Sequence, residues 1–180
     1  IVTLMTKSGG SQAYGKWAKK KMKSSKQSLF STFVLGVVIF VDDYFNCLTV
    51  GSVMREITDE FKVSRAMLAY IIDSTAAPIC IIAPISSWAA AVSGYTSGDG
   101  FQLFLNTIPF NLYALITVVM VCYVIKSEFL VGKMRKHELA AKEGDIHFGD
   151  DSYQTGEEIS YNKNGKVIDL ILPVIVLIFS

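Results

Sequence analysis

Charge is scarce in this sequence. Only 18% of its 180 residues are Asp, Glu, Lys or Arg, and these nearly cancel to a net charge of +1. Such a balance provides no global field for nucleic acid, which excludes that class of partner. Cysteine is scarcer still. Cys47, Cys80 and Cys122 each stand alone in an apolar run, with no CxxC spacing. That excludes a redox or zinc motif and leaves them as small core residues. The two histidines, His137 and His147, lie in polar sequence and read as solvated surface. No cofactor-binding signature is present. The first residues carry no basic n-region of a secretory signal.

Apolar residues are plentiful. They make up 51% of the chain, the mean hydropathy is +0.40, and they come in long blocks. This is too apolar for an ordinary soluble domain. It predicts an all-α polytopic membrane protein, multi-pass, with the lipid bilayer as its surroundings. The chain opens on Ile-Val-Thr-Leu-Met and closes inside an apolar run too short to span. We therefore expect a piece cut from a larger polytopic protein.

Two apolar blocks carry acids that do not belong there. Residues 29–54 read LFSTFVLGVVIFVDDYFNCLTVGSVM, with Asp42 and Asp43 in the middle. Residues 66–94 hold Asp73-Ser74-Thr75-Ala76-Ala77-Pro78, with Pro84 beyond. A carboxylate at mid-membrane depth costs about 2.5–3.5 kcal/mol on insertion scales and marks ion pathways or proton relays. The remaining segments support these two. Residues 1–6 read as the end of a helix, and 7–28 as a basic loop carrying Lys16, Lys19, Lys20, Lys21, Lys23 and Lys26. That lysine cluster also suits anionic lipid headgroups. Residues 55–65 form a polar connection, and 95–102 a turn without Lys or Arg. Residues 107–125 form an apolar span, 126–166 a polar loop with a basic, helix-forming first part, and 167–180 the start of another helix.

Loop charge sets the topology. Basic residues fill 7–27, 55–65 and 126–142, and the 95–102 turn has none. A full crossing by 29–54 puts the second and third basic loops outside. If that segment enters and returns, all three share the cytoplasmic face, as positive residues prefer. The pattern thus predicts a re-entrant helical hairpin with Asp42-Asp43-Tyr44-Phe45-Asn46 at its tip. Each arm of about 9–13 residues is roughly 14–20 Å long and reaches the midplane of a ~30 Å core. Pro78 and Pro84 break the second block, predicting half-helices on either side of an unwound Asp73–Pro78 link, a discontinuous transmembrane helix. A tip facing a broken helix at mid-depth exposes carbonyls and helix ends to a cation.

Asp42, Asp43 and Asp73 are the candidate Na⁺ ligands, with neutral oxygens from Asn46, Thr49, Ser74 and Thr75. An oxygen-only cage suits Na⁺ or H⁺ rather than a soft metal. Desolvation raises a carboxylate's pKa, so one group can alternate between proton and cation. Blander readings stand beside these. Adjacent aspartates on a helix point about 100° apart, so one of the pair can be structural or ion-paired to another helix. Ser74-Thr75-Ala76-Ala77 suits close helix packing through small residues. Ser86, Ser87 and Trp88 fit a pathway or a packing patch. An intramembrane aspartyl protease would need two acids sharing a proton. The Gly-x-Gly-Asp signature expected of that family is absent, so no enzyme is expected.

Ile39-Phe40-Val41-Asp42-Asp43-Tyr44-Phe45-Asn46 and Leu48-Thr49-Val50-Gly51-Ser52-Val53-Met54-Arg55, with Ile57-Thr58-Asp59, resemble the NhaC family of sodium/proton antiporters. So do Leu68-Ala69-Tyr70-Ile71-Ile72-Asp73-Ser74-Thr75-Ala76-Ala77-Pro78 and Ile82-Ala83-Pro84-Ile85-Ser86-Ser87-Trp88, with Ser8-Gly9-Gly10 and Ala13-Tyr14-Gly15 upstream. The resemblance covers roughly residues 1–125. It implies one half of an inverted-repeat transporter, completed by an N-terminal repeat of the same protein. It also implies Na⁺/H⁺ exchange across the plasma membrane of a prokaryote, with Na⁺ and H⁺ as transported ions and a homodimer as an allowed assembly. Relatives of this family exchange small carboxylates or amino acids, so a Na⁺- or H⁺-coupled exchanger of malate or lactate type is the alternative.

Overall fold

The computed structural model describes residues 7–96, 98–146, 148, 162 and 164–179, and these are helical or irregular, with no strand among them. Residues 1–6 and most of the polar stretch after residue 146 lie outside the described residues. The helices are α1 (Gly10–Lys21), α2 (Ser25–Val38), α3 (Asp43–Glu60), α4 (Arg65–Ile82), α5 (Ser87–Ser93) and α6 (Gly100–Thr107). After a 3₁₀ turn (Ile108–Phe110) come α7 (Leu112–Ser127), α8 (Gly132–Glu143) and α9 (Ile168–Phe179).

Short polar side chains decide where the helices start. Ser24, Asp42, Ser64, Ser86, Asp99 and Asn111 each accept a hydrogen bond from a backbone amide of the first turn of the helix they precede. Such caps satisfy amides that have no partner within the helix and contribute about 1 kcal/mol each. The α3–α4 corner is tight. Lys62 adopts the left-handed conformation (φ 54°), and Val63 N–H donates to Thr58 O at 3.0 Å.

The chain turns back on itself at residues 39–42, so α2 and α3 form a helical hairpin. Helix α4 packs against both arms and against α7, α8 and α5. Its side chains reach two cores. Leu68 and Ile72 join Ile39, Val50, Val53, Met54 and Ile57, whereas Met67 and Ile71 join Leu29, Val63, Val121, Val124 and Ile125. Outward, α7 presents Ile116, Val119, Met120 and Tyr123, and α2 presents Phe30, Val34 and Val38, all exposed. Among the described residues, α4 is long and apolar enough to cross a membrane. The Gly100–Phe110 and Leu112–Ser127 pair is a second candidate if its 50° bend lies within one span.

Two expectations need correction. The link at Asp73–Pro78 is not unwound, because α4 runs unbroken from Arg65 to Ile82 with Pro78 inside it. Pro78 removes one backbone donor, which costs about 3 kcal/mol in an isolated helix. Here α2, α3 and α7 pack on the same helix, and Thr75 Oγ1 donates to Ile71 O at 2.7 Å one turn earlier. Of the two expected breaks only the second forms, at residues 83–86 around Pro84. Ala83, preceding Pro84, is extended (φ −78°, ψ 126°), as the proline ring requires of its predecessor. The apolar span at 107–125 is likewise not one straight helix. Pro109 lies in the 3₁₀ turn and Asn111 restarts the helix as a cap, which leaves the bend.

Helix α8 sits at the α4 end opposite the break. Buried Glu138 accepts from the backbone N–H of Ser64 through Oε2 at 3.1 Å, and Lys62 Nζ donates to Lys142 O. Removing the acceptor leaves a buried amide unpaired, at a cost of about 1–3 kcal/mol. Glu138→Ala is expected to lower the thermal unfolding midpoint accordingly, and Glu138→Gln, which keeps an acceptor oxygen, to lower it by less than half as much. Equal loss in both variants would show that the amide bond is not what holds α8 in place.

Candidate functional site

The α2 helix ends in an apolar setting, so its last carbonyls need donors that solvent does not supply. Asn46, on the first turns of α3, provides them. Its side chain is fully buried, and Nδ2 donates to Gly36 O at 2.6 Å and to Ile39 O at 2.8 Å. Both partners are acceptors, so the amide orientation is determined: Nδ2 must face them and Oδ1 must face away. Asn46 Oδ1 and, one turn on, buried Thr49 Oγ1 have no hydrogen-bond partner among the described residues.

Gly36 is where the hairpin meets α4. A Cβ added there would lie 2.6 Å from Thr75 Oγ1, 3.2 Å from Thr75 Cβ and 3.8 Å from Asn46 Oδ1. Only a missing side chain lets α2 and α4 approach this closely, the usual device for helix contacts in an apolar medium. Asn46 Oδ1 and Thr75 Oγ1, from two different helices, therefore converge on one point. Thr75 spends its hydroxyl proton on Ile71 O or Ile72 O, which leaves its lone pairs free to accept. Ser74 is buried beside it.

The three aspartates divide by role. Asp42 is the cap of α3, its Oδ1 accepting from Phe45 N at 2.8 Å. Asp43 occupies the first turn of α3, where the helix dipole favours a negative charge. Its Oδ2 accepts from the indole Nε1 of Trp88 at 3.4 Å. Asp73 faces outward from α4. Asp43 and Asp73 each act electrostatically on Cys47 of α3. Among the described residues no three Asp, Glu, His or Cys side chains gather closely enough to hold a metal ion. Asp42, Asp43 and Asp73 thus do not form one carboxylate cage.

The hairpin tip is fastened to the break after α4. Ser87 N–H donates to Val41 O at 2.8 Å, Cys80 Sγ lies 3.7 Å from the same oxygen, and Trp88 reaches Asp43. Ser86 caps α5 at this point. Tip and break meet through one carbonyl and one carboxylate. Of the two breaks expected at Pro78 and Pro84, only the one at Pro84 forms, and Trp88, expected in a pathway or a packing patch, bonds the Asp43 carboxylate. Sequence reasoning passed over Gly36, although Ser28, Thr32 and Gly36 recur at a spacing of four and are all buried.

A family model described as the Na⁺/H⁺ antiporter family matches residues 68–180. The matched residues include α4, the break and α7, and the hairpin precedes them. A protein of Haemophilus influenzae described as an uncharacterized protein is 37% identical over 191 residues. That alignment takes in all of this chain and 35% of the relative, so the chain spans about a third of the length of the curated relative it matches. No solved structure matches.

The Gly36 contact makes a direct prediction. Gly36→Ala is expected to destabilise the protein by about 1–3 kcal/mol, the usual cost of overpacking. Adding Thr75→Ala, which removes the clashing oxygen, should recover more than half of that loss in a double-mutant comparison of unfolding midpoints. Strict additivity of the two substitutions would mean that the residues do not touch.

Proposed function

The chain belongs to the Na⁺/H⁺ antiporter family, and from that premise we propose that it forms part of a secondary active transporter exchanging Na⁺ for H⁺ across the plasma membrane of a prokaryote. In this reading it is a multi-pass segment of a longer protein, one half of an inverted-repeat fold, and the tip sequence assigns it to the NhaC branch. The hairpin α2–α3 is re-entrant, and residues 7–28, 55–65 and 126–166 face the cytoplasm. One observation carries the proposal. The hairpin tip bears Asp43, held by Trp88 at the break that follows α4, and α4 itself carries the exposed carboxylate of Asp73. Asp43 and Asp73 alternate between proton and Na⁺, so that a carboxylate which takes one ion gives up the other. Asn46, Thr49, Ser74 and Thr75 supply neutral oxygens within the buried contact between the hairpin and α4. Asp42 shapes the tip as a cap and carries no ion.

The test uses the longer transporter in inverted vesicles with an imposed pH gradient, followed by a pH-sensitive dye on addition of NaCl. Asp43→Asn and Asp73→Asn are expected to abolish the Na⁺-dependent collapse of the gradient. Asp42→Asn should transport like the wild type, because Asn caps a helix as well as Asp does. Trp88→Phe removes a hydrogen bond of about 1 kcal/mol and should raise the half-saturating Na⁺ concentration roughly fivefold without abolishing exchange. Normal exchange in both Asp43→Asn and Asp73→Asn would contradict the site. A wild type silent to Na⁺ but active with malate, lactate or an amino acid would replace the reading with organic exchange.

A further inference from the structure

A second candidate site lies at the opposite end of α4. A cavity of about 140 Å³ opens between α2, α4, α7 and α8. One side is apolar, formed by Leu29, Met67, Val124 and Leu139. The other is charged. Arg135 and Lys142, on the same face of α8 as Leu139, line it together with Glu128 and Glu138.

The acids are already engaged. Glu138 is buried and bonded to the Ser64 amide, and Glu128 pairs with Lys26 at 3.5 Å. Arg135 and Lys142 make no ion pair among the described residues, and both are exposed. Two cations are therefore left over at the mouth of a half-apolar cavity. Lys26 Nζ also donates to Lys126 O, which draws the lysine-rich segment before α2 against the basic segment after α7. Next to the cavity Phe129 and Val131 project apolar side chains into the surroundings.

We propose that this cavity binds the headgroup of an anionic phospholipid. The phosphate lies between Arg135 and Lys142, and the acyl chains leave over Leu139, Phe129 and Val131. An unpaired-cation pocket between membrane helices on the cytoplasmic side has the charge and position such lipids need. A lone soluble anion would use the cations but gain nothing from the apolar wall. A zwitterionic lipid would use the wall but bring its own cation to two others. The proposal rests on the reading above that this chain is membrane-embedded with this end cytoplasmic. Its test does not use transport, so either reading can fail alone.

The longer transporter, delipidated in a mild detergent, would be titrated with phosphatidylglycerol, phosphatidylcholine or inorganic phosphate. Bound lipid would be counted by native mass spectrometry. Phosphatidylglycerol is expected to bind at least tenfold more tightly than phosphatidylcholine, and inorganic phosphate not measurably. The Arg135→Gln/Lys142→Gln variant should weaken phosphatidylglycerol on the order of thirtyfold, about fivefold per cation. Leu139→Asp, an exposed position, should weaken it without touching either cation. Equal binding of the two lipids, wild-type binding by both cavity variants, or phosphate binding as tightly as phosphatidylglycerol would overturn the proposal.

Discussion

A helix that ends inside an apolar environment exposes carbonyl oxygens with nothing to bond, and everything around the hairpin depends on how that is resolved. At the end of α2 the solution is the carboxamide of Asn46, which donates to Gly36 O and Ile39 O at once. A buried carbonyl left unpaired costs about 1–3 kcal/mol. The amide therefore both closes the turn and sets its register. It also forces its own oxygen toward Gly36 and Thr75, and an acceptor with no donor is thereby built into the contact between the hairpin and α4.

The second consequence concerns α4. It is held at both ends by bonds to other elements. At one end the Ser64 amide is bonded to Glu138 of α8, and at the other the break after Ile82 presents Ser87 and Trp88 to the hairpin tip. Between them the helix carries Asp73 outward and Thr75 inward. Movement of the tip relative to the break would change the surroundings of Asp43 and leave the Asn46 turn intact. In the proposed transporter, the turn that carries Asp43 would move as a unit against the break.

The helical class was legible because long apolar blocks and Ser, Asp or Asn caps announce it residue by residue. The place where the chain turns back was legible only to within about one turn: the loop charges put Asp42–Asn46 at the tip, but the reversal falls at residues 39–42 and residues 43–46 already belong to α3. Which of the two prolines breaks the helix was not legible. A proline weakens a helix by a fixed amount, but whether the helix yields depends on the packing around it. Pro78 is buried within a helix that α2, α3 and α7 pack against and holds, whereas at Pro84 the chain gives way. The same limit applies to the aspartates. Three similar letters occupy three different positions, a cap, an indole-bonded carboxylate and an outward-facing one, and only the backbone geometry separates them. Gly36 matters through a contact 39 residues away, which no local pattern reveals.

The central claim is that the chain enters the membrane at α2 and leaves on the same side after α3. The direct measurement is side-specific labelling. Cysteines would be placed singly at Lys20 and Lys62, which are both exposed, in the longer protein with Cys47, Cys80 and Cys122 replaced. A membrane-impermeant maleimide would then be applied to inverted and to right-side-out vesicles. The account predicts that both positions label in inverted vesicles and neither in right-side-out ones. Labelling of Lys20→Cys from one side and Lys62→Cys from the other would mean that the segment crosses the bilayer, and the re-entrant tip with its ion site would have to be abandoned.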